Sequence, residues 1–293
     1  MLSGSGTMNF TLQTPFLAAL AVVLGAVWPA GAAAADTLIF APLPLESPGT
    51  VAAQWKPVLG HLEKSLGITL RIDYSASYGE ILDKLHAGKI DLVQLGPLPY
   101  VRLRETFLQA EPIVHFNESD GRPDYTCALV APAEAKQAQQ GIRAIKGKTV
   151  ALTQPLSTCG YFSADTLLRQ AGVALEHNRY RYLGRHDAVA LAVIRGEFEV
   201  GSMKTAIAKD HAGLGLVVIA ESAPLPGFAL VANTMTIKAE RFAQIRQALL
   251  EADAETRSRW GVYRYGVTAA QDGDFAAVRR MLGKTVIPEK GNF

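Results

Sequence analysis

The hydroxyl-rich segment Ser157–Tyr161 has the residue types best suited to binding chemistry in this sequence. It follows the strand-like run KTVALT and reads Ser-Thr-Cys-Gly-Tyr. Serine and threonine hydroxyls donate hydrogen bonds to anions, and a glycine lets the backbone approach a ligand closely. The cysteine is unexpected, because the chain has only two. The segment therefore predicts either an oxyanion-binding loop or a site that uses sulfur.

Four other segments share this arrangement, in which small or polar residues follow a strand and precede a helix. They are Pro42–Ser47, Ser75–Gly79, Gly96–Tyr100 and the sequence LGRHD, which ends in His186 and Asp187. Helix N-termini present free N–H groups and the positive end of a dipole, so several of them facing one crevice would form an anion site. Tyr78 and Tyr100 add neutral hydroxyl donors, and His186 adds a donor whose charge can follow pH.

Strand and helix signals alternate along the chain and predict two α/β units, each a mainly parallel sheet with flanking helices. In one helix, predicted over 50–66, apolar residues recur at spacings of three and four. The helices after Asn233 need a core to pack on, so the chain is expected to enter the second unit near Tyr125 and return near Leu230. This predicts one lobe from residues 36–124 and 232–293, a second from 125–231, and a ligand crevice between them.

The first 35 residues resemble an export signal. The apolar run Phe16–Trp28 precedes Pro29 and the small residues Ala32–Ala35, which predicts cleavage before Asp36 and a periplasmic location. An uncleaved membrane anchor is the alternative. The net charge of +2 and the lack of a basic run argue against a nucleic-acid partner. A monomer is expected.

Six sequence segments in family order resemble the phosphate/phosphite/phosphonate-binding proteins of ABC importers, within the type II periplasmic-binding-protein fold. They are WKPVLGHLEKSLG, GKIDLVQLGPLPYV, KGKTVALTQPLSTCGYF, GRHDAVALAVIRGEFEVG, SAPLPGFALVA and YGVTAAQDGDFAAVRRML. The resemblance implies a two-lobe protein that closes over an oxyanion and is then read by a membrane partner. It implies ligand contacts by Tyr78, Tyr100, Ser157, Thr158, Cys159, Gly160 and His186.

Two features depart from the family pattern. Cys159 replaces the third hydroxyl of the loop, and Glu199 precedes Val200 and Gly201 where the family often has an acidic residue followed by small ones. The roles of Glu199 and of the nearby Lys204 are left open by the sequence.

Three interpretations of Cys159 remain open. A disulfide with Cys127 forms if the strands YTCAL and KTVALT are antiparallel neighbours. A thiolate at a helix N-terminus would bind a soft ligand such as As(III), as in arsenite sensors that resemble these importer receptors and report to a histidine kinase. A small buried side chain without a further role is the third.

An enzyme is not expected, because adjacent His186 and Asp187 cannot easily serve Cys159 as base and orienting group. The six histidines show no metal-ligand spacing, so neither a metal nor another cofactor is expected. The sequence predicts a periplasmic oxyanion-binding protein that serves an ABC permease. The alternative is a sensory protein for arsenite or a related oxyanion, acting through a histidine kinase.

Overall fold

The computed structural model describes residues 1–2, 4–9, 36–283 and 285–293. The predicted export signal and its cleavage site lie almost wholly outside the described residues. None of the described helices is long and apolar enough to span a membrane.

The structure is a mixed α/β fold in which helices flank the sheets. The described strands in chain order are β1 (Thr37–Ala41), β2 (Thr69–Ile72), β3 (Leu92–Leu95), β4 (Ala110–Phe116), β5 (Asp124–Tyr125), β6 (Cys127–Pro132), β7 (Thr149–Leu152), β8 (Arg179–Tyr182), β9 (Val200–Lys204), β10 (Leu216–Glu221), β11 (Leu225–Pro226), β12 (Ala229–Asn233) and β13 (Val267–Ala269). The described helices are α1 (Pro48–Leu66), α2 (Tyr78–His86), α3 (Pro97–Arg104), α4 (Lys136–Gln140), α5 (Ser163–Gln170), α6 (His186–Ile194), α7 (Thr205–Asp210), α8 (Ala239–Leu250), α9 (Ala254–Ser258) and α10 (Ala276–Leu282).

Helix α1 shows how the sequence sets an element boundary. The Ser47 side chain accepts a hydrogen bond from the Thr50 N–H, and Pro48 occupies the first turn, where its missing N–H costs nothing. Trp55 and its apolar neighbours face the core. Gly67 ends the helix with a positive φ of 63°, a left-handed conformation that glycine adopts without strain. The predicted helix is confirmed, with two more residues at its start.

The strands form two main sheets, which define two lobes. The lobe 1 sheet has the order β13-β4-β12-β3-β1-β2, and the lobe 2 sheet has the order β10-β6-β9-β7-β8. A small ladder of β5 and β11 joins the two connections between them. The predicted two-lobe α/β class is confirmed. However, β12 belongs entirely to lobe 1, so the predicted boundary at residue 232 falls inside that strand.

The prediction of mainly parallel sheets is wrong, because both sheets are mixed. In lobe 1, β1 pairs in parallel with β2 and β3, whereas β12 and β13 pair antiparallel. In lobe 2, β7 pairs in parallel with β8 and β9, whereas β6 and β10 pair antiparallel. Helical crossovers produce the parallel strands. The strands that enter each lobe from the inter-lobe connections, β12 in lobe 1 and β6 in lobe 2, run opposite to the parallel strands. Strand signals in the sequence do not encode direction.

The loops that follow β1, β2, β3, β7 and β8 approach one another between the lobes. Tyr78 at the start of α2, Tyr125 and Cys159 belong to one apolar cluster that contains residues of both lobes. The candidate site is therefore part of a shared, largely buried contact between the lobes.

Candidate functional site

The loop after β7 is held in one conformation by close internal contacts. Ser157 precedes a short π-type turn, Thr158–Phe162, in which Gly160 departs from helical geometry. A Cβ atom on Gly160 would lie 2.5 Å from the Gln154 carbonyl oxygen and 2.9 Å from Thr153 Oγ1. Only glycine fits there, so Gly160 shapes the loop that carries the predicted hydroxyl donors.

We expect Gly160→Ala to destabilise the protein by about 1–3 kcal/mol, because the loop must move to relieve a backbone clash. The affinity for an oxyanion should fall as well. Gly213→Ala is the matched control, since a Cβ atom there meets nothing within 4 Å. Denaturant unfolding and ligand titration measure both effects. Unchanged stability and affinity in Gly160→Ala would contradict this account of the loop.

Hydroxyl groups from both lobes meet beside this loop. Burial raises the pKa of the Tyr78 hydroxyl, and the adjacent Ser157 hydroxyl partly offsets that rise. Burial also raises the pKa of the Tyr125 hydroxyl, which the nearby Thr158 side chain partly offsets. Both tyrosines therefore remain protonated and able to donate. We call Tyr78, Tyr125, Ser157, Thr158 and His186 the donor cluster.

Thr158 has a contact that the sequence did not suggest. Its Oγ1 atom accepts a hydrogen bond of 3.0 Å from the N–H of Leu98, in the first turn of α3 in lobe 1. Tyr125 is close to Thr158, but its hydroxyl has no hydrogen bond of normal geometry within the described part of the chain. Thr158 thus joins the lobes, and the buried Tyr125 hydroxyl is left with a free donor.

His186 is a buried, neutral donor. Its Nδ1 atom accepts the Lys204 N–H at 3.0 Å, which assigns the ring proton to Nε2. Burial, helped by the positive charge of Lys204, lowers the pKa of His186 to about 3. The Nε2–H group is buried and has no partner among the described residues. The expectation that His186 changes charge with physiological pH is therefore wrong, because the site keeps the ring uncharged.

Lys204 forms an ion pair and lies near two aromatic rings. Its Nζ atom lies 2.5 Å from Glu118 Oε1, and 5.6 Å and 5.2 Å from the ring centres of Tyr125 and Phe228. The Lys204 charge is thus balanced by a carboxylate within the site. Glu199 is elsewhere, since it binds Lys148 and the Thr149 N–H at the start of β7, away from the loop that follows that strand.

The hydroxyl of Tyr100, a predicted ligand residue, does not point to the donor cluster. That hydroxyl donates to Asp272 Oδ1 at 2.7 Å, and its ring lies 4.1 Å from the ring of Phe275. Burial and then Asp272 raise the Tyr100 pKa. Asp187 also lies outside the cluster, where its side chain accepts the Ala188 N–H in the first turn of α6 and binds Arg185.

Cys127 and Cys159 form a disulfide, with Cα atoms 5.1 Å apart. Neither is a free thiol, so neither sulfur is available to bind As(III) while the disulfide is formed. The strands named as antiparallel neighbours are separated by β9. The bond forms because the turn beyond β7 brings Cys159 back to the start of β6.

Gln154 is a site residue that sequence reasoning missed. Its Oε1 atom accepts the Tyr78 N–H at 3.0 Å, at the start of α2 in lobe 1. Its Nε2 atom donates to the carbonyls of Ala76 and Gly184. The side-chain oxygen of Gln154 therefore occupies the N-terminus of α2, a position that is suited to an anion. The available signal was its place directly after a strand, next to the predicted loop.

Other cross-lobe bonds keep the cleft closed in this structure. The His186 N–H donates to the Leu45 carbonyl at 2.9 Å. No cluster of three or more metal-ligating side chains occurs among residues 36–283 and 285–293. The chemistry of the cleft is hydrogen-bond donation by neutral groups, which suits binding of an oxyanion.

The fold and the cleft define a two-lobe α/β binding protein. The family model for periplasmic substrate-binding proteins of phosphonate ABC transporters matches residues 40–275. The chain therefore belongs to that family. The family consists of substrate-binding components, in agreement with the prediction that the protein is not an enzyme.

Individual relatives agree with this assignment. The phosphate-import protein PhnD of Mycolicibacterium smegmatis is 25% identical over 175 residues, 57% of this chain and 54% of that protein. The chain thus matches about half the length of this curated relative.

Two solved structures share the fold. PhnD1 of Prochlorococcus marinus in complex with methylphosphonate has a TM-score of 0.73 and 15% identity over 85% of this chain and 98% of its own. A binding protein of a Pseudomonas aeruginosa phosphonate transporter has a TM-score of 0.74 and 19% identity over 84% and 85%.

Proposed function

We propose that the protein captures a phosphorus oxyanion of the phosphate, phosphite or phosphonate class between its lobes and delivers it to an ABC permease in the periplasm. The observation that carries this proposal is a pair of buried donors without a protein partner among the described residues, Tyr125 O–H and His186 Nε2–H. A buried donor left without an acceptor is costly, so a ligand oxygen is the natural partner for each.

The electrostatics favour recognition by hydrogen bonds rather than by a free cation. Lys204 is paired with Glu118, and His186 is neutral. The negative charge of the ligand would be met by tyrosine and serine hydroxyls and by the N-termini of α2 and α3. Gln154 Oε1 and Thr158 Oγ1 now accept N–H groups of those two helices, at the positions that oxyanion oxygens would take.

The lobes provide the closing movement that such a receptor needs. We propose lobes of residues 36–124 with 232–293 and of 125–231, extended so that all of β12 lies in lobe 1. The hydrogen bonds that Thr158 and Gln154 accept from lobe 1 support this proposal, because they join the two surfaces that would separate when the cleft opens. Export through the predicted signal, with cleavage before Asp36, completes the proposal. The methylphosphonate bound by the Prochlorococcus marinus relative supports the ligand class.

Ligand titration of Ser157→Ala tests the proposal. Phosphate, phosphite and methylphosphonate are titrated by calorimetry. Sulfate and arsenite are titrated as anions without phosphorus. We expect at least one phosphorus oxyanion to bind the wild type, and we expect Ser157→Ala to weaken it roughly tenfold or more, since one hydrogen bond to a charged group is lost.

Ser65→Ala is the matched control, because Ser65 is an exposed residue of α1. It should bind like the wild type. Binding of arsenite or sulfate alone would reject the proposed ligand class. Equal affinity in Ser157→Ala and the wild type would remove Ser157 from the site.

A further inference from the structure

The segment 285–293, which we call the strap, contacts both lobes. It follows α10 of lobe 1 along the chain. Arg102 of α3 in lobe 1 donates to the Thr285 carbonyl at 2.9 Å, and Tyr182 of β8 in lobe 2 donates to the Pro288 carbonyl at 2.7 Å. Between these two points, Ile287 packs against the apolar cluster shared by the lobes and against the core of lobe 2. The strap therefore bridges the lobes separately from the two connections that β5 and β11 join.

The end of the strap is bound to β8, which is an edge strand of the lobe 2 sheet. The Asn292 N–H donates to the Tyr180 carbonyl at 3.0 Å, and Asn292 Oδ1 accepts the Tyr180 N–H at 2.7 Å. Asn292 Nδ2 donates to the Asn178 carbonyl at 2.8 Å. A Cβ on Gly291 would lie 2.4 Å from the Tyr180 carbonyl oxygen, so the two backbones are in direct contact. These contacts fix the end of the strap to lobe 2.

The strap is too short to keep both attachments when the lobes move far apart. Its first residue stays with lobe 1, because the Thr285 N–H donates to the carbonyl of Leu282, a buried residue of α10, at 2.8 Å. Pro288 follows three residues later, and three fully extended residues span at most about 11 Å. Opening that separates α3 from β8 by more than this distance must therefore break the bonds of the strap to β8.

We propose that the strap is a latch that favours the closed arrangement of the lobes and is released from β8 when the cleft opens. The bonds that break on release are made by the Tyr182 hydroxyl and the Asn292 amide, which are uncharged groups. Burial raises the pKa of Tyr182, so its hydroxyl keeps the proton that it donates to the Pro288 carbonyl. Closing the lobes then costs less free energy. If the proposed function holds, the strap raises the affinity for every ligand by one common factor.

Hydrogen exchange of the ligand-free protein tests the latch with the double variant Tyr182→Phe, Asn292→Ala. The variant keeps the aromatic ring but loses three hydrogen bonds of the closed form. The Tyr78 and His186 amides donate across the cleft to Gln154 and Leu45, so their exchange reports cleft opening at a distance from the strap. We expect these two amides to exchange at least tenfold faster, because the open form gains population. Amides of the central strands β6 and β12 should exchange as in the wild type.

Tyr265→Phe is the matched control, because it also removes a tyrosine hydroxyl, but one that is bonded to Arg264 within lobe 1. It should leave the exchange of the Tyr78 and His186 amides unchanged. The latch is refuted if these amides exchange at the wild-type rate in the double variant. It is equally refuted if they and the central strands accelerate by the same factor, since that result indicates general destabilisation.

Calorimetric titration of the double variant with phosphate, phosphite and methylphosphonate adds a second test. We expect affinity to fall by the same factor for each ligand that the wild type binds, because only the closing equilibrium changes. A loss confined to one ligand would contradict the latch. If the wild type binds none of the three, the proposed function fails, whereas the exchange experiment contains no ligand and still decides on the latch.

Discussion

Replacing Cys127 and Cys159 together by alanine is expected to lower the free energy of unfolding by roughly 3–4 kcal/mol. The disulfide joins two cysteines with a sequence separation of 32. A cross-link of this span lowers the conformational entropy of the unfolded chain, which stabilises the folded protein by about that free energy. Both cysteines are buried, so the substitution also removes core contacts. Denaturant unfolding of the two proteins at one pH measures the difference.

The same variant should bind its ligand more weakly. Cys159 follows Ser157 and Thr158 in the loop, and Cys127 lies two residues after Tyr125. The disulfide therefore fixes two groups of donors relative to each other, and without it some binding energy is spent on ordering the loop.

Reductant provides the control for the disulfide. When reductant is added during unfolding, the free energy of unfolding of the wild type should fall towards that of the alanine variant. The free energy of unfolding of the variant should not change. If thiol titration shows full reduction and the stability of the wild type does not fall, the stabilising role of the disulfide is refuted.

The fold class was predictable because the chain repeats strand and helix signals with clear ends. Helix α1 illustrates this. Ser47 and Pro48 set its start and Gly67 sets its end, and each acts through contacts with its neighbours in sequence. Strand direction was not predictable, because β12 is an ordinary apolar strand in sequence and only its place between β3 and β4 makes it antiparallel. The path of the strap was not predictable either, because it depends on long-range pairing of Asn292 with Tyr180.

The candidate site was predictable in part. Tyr78, Ser157, Thr158 and His186 follow strand ends, and that position is visible in sequence. The hydroxyl of Tyr100 turns to Asp272, which is 172 residues away in the chain, so no local pattern could indicate it. The protonation of His186 depends on burial and on Lys204, both of which need the tertiary structure.

His186 should make the stability of the ligand-free protein depend on pH. The ring is neutral in the folded protein, with a pKa near 3, whereas an exposed histidine has a pKa of about 6.5. Between these values the unfolded chain binds a proton that the folded protein does not bind. The contribution of His186 to stability is therefore complete above pH 6.5 and is lost by about 1.4 kcal/mol per pH unit as the pH falls towards 3.

His186→Asn isolates this effect, because asparagine can still accept the Lys204 N–H but cannot titrate or supply the Nε2 donor. The stability difference between the wild type and the variant should shrink steadily from pH 6.5 to 4.5, since other groups cancel in the difference. The variant should also bind oxyanions at least tenfold more weakly, by the same factor from pH 5.5 to 8, because the ligand's own ionisation cancels in the ratio. A ratio that grows as the pH falls would mean that His186 binds as a cation, and the neutral-donor account of the cleft would then be wrong.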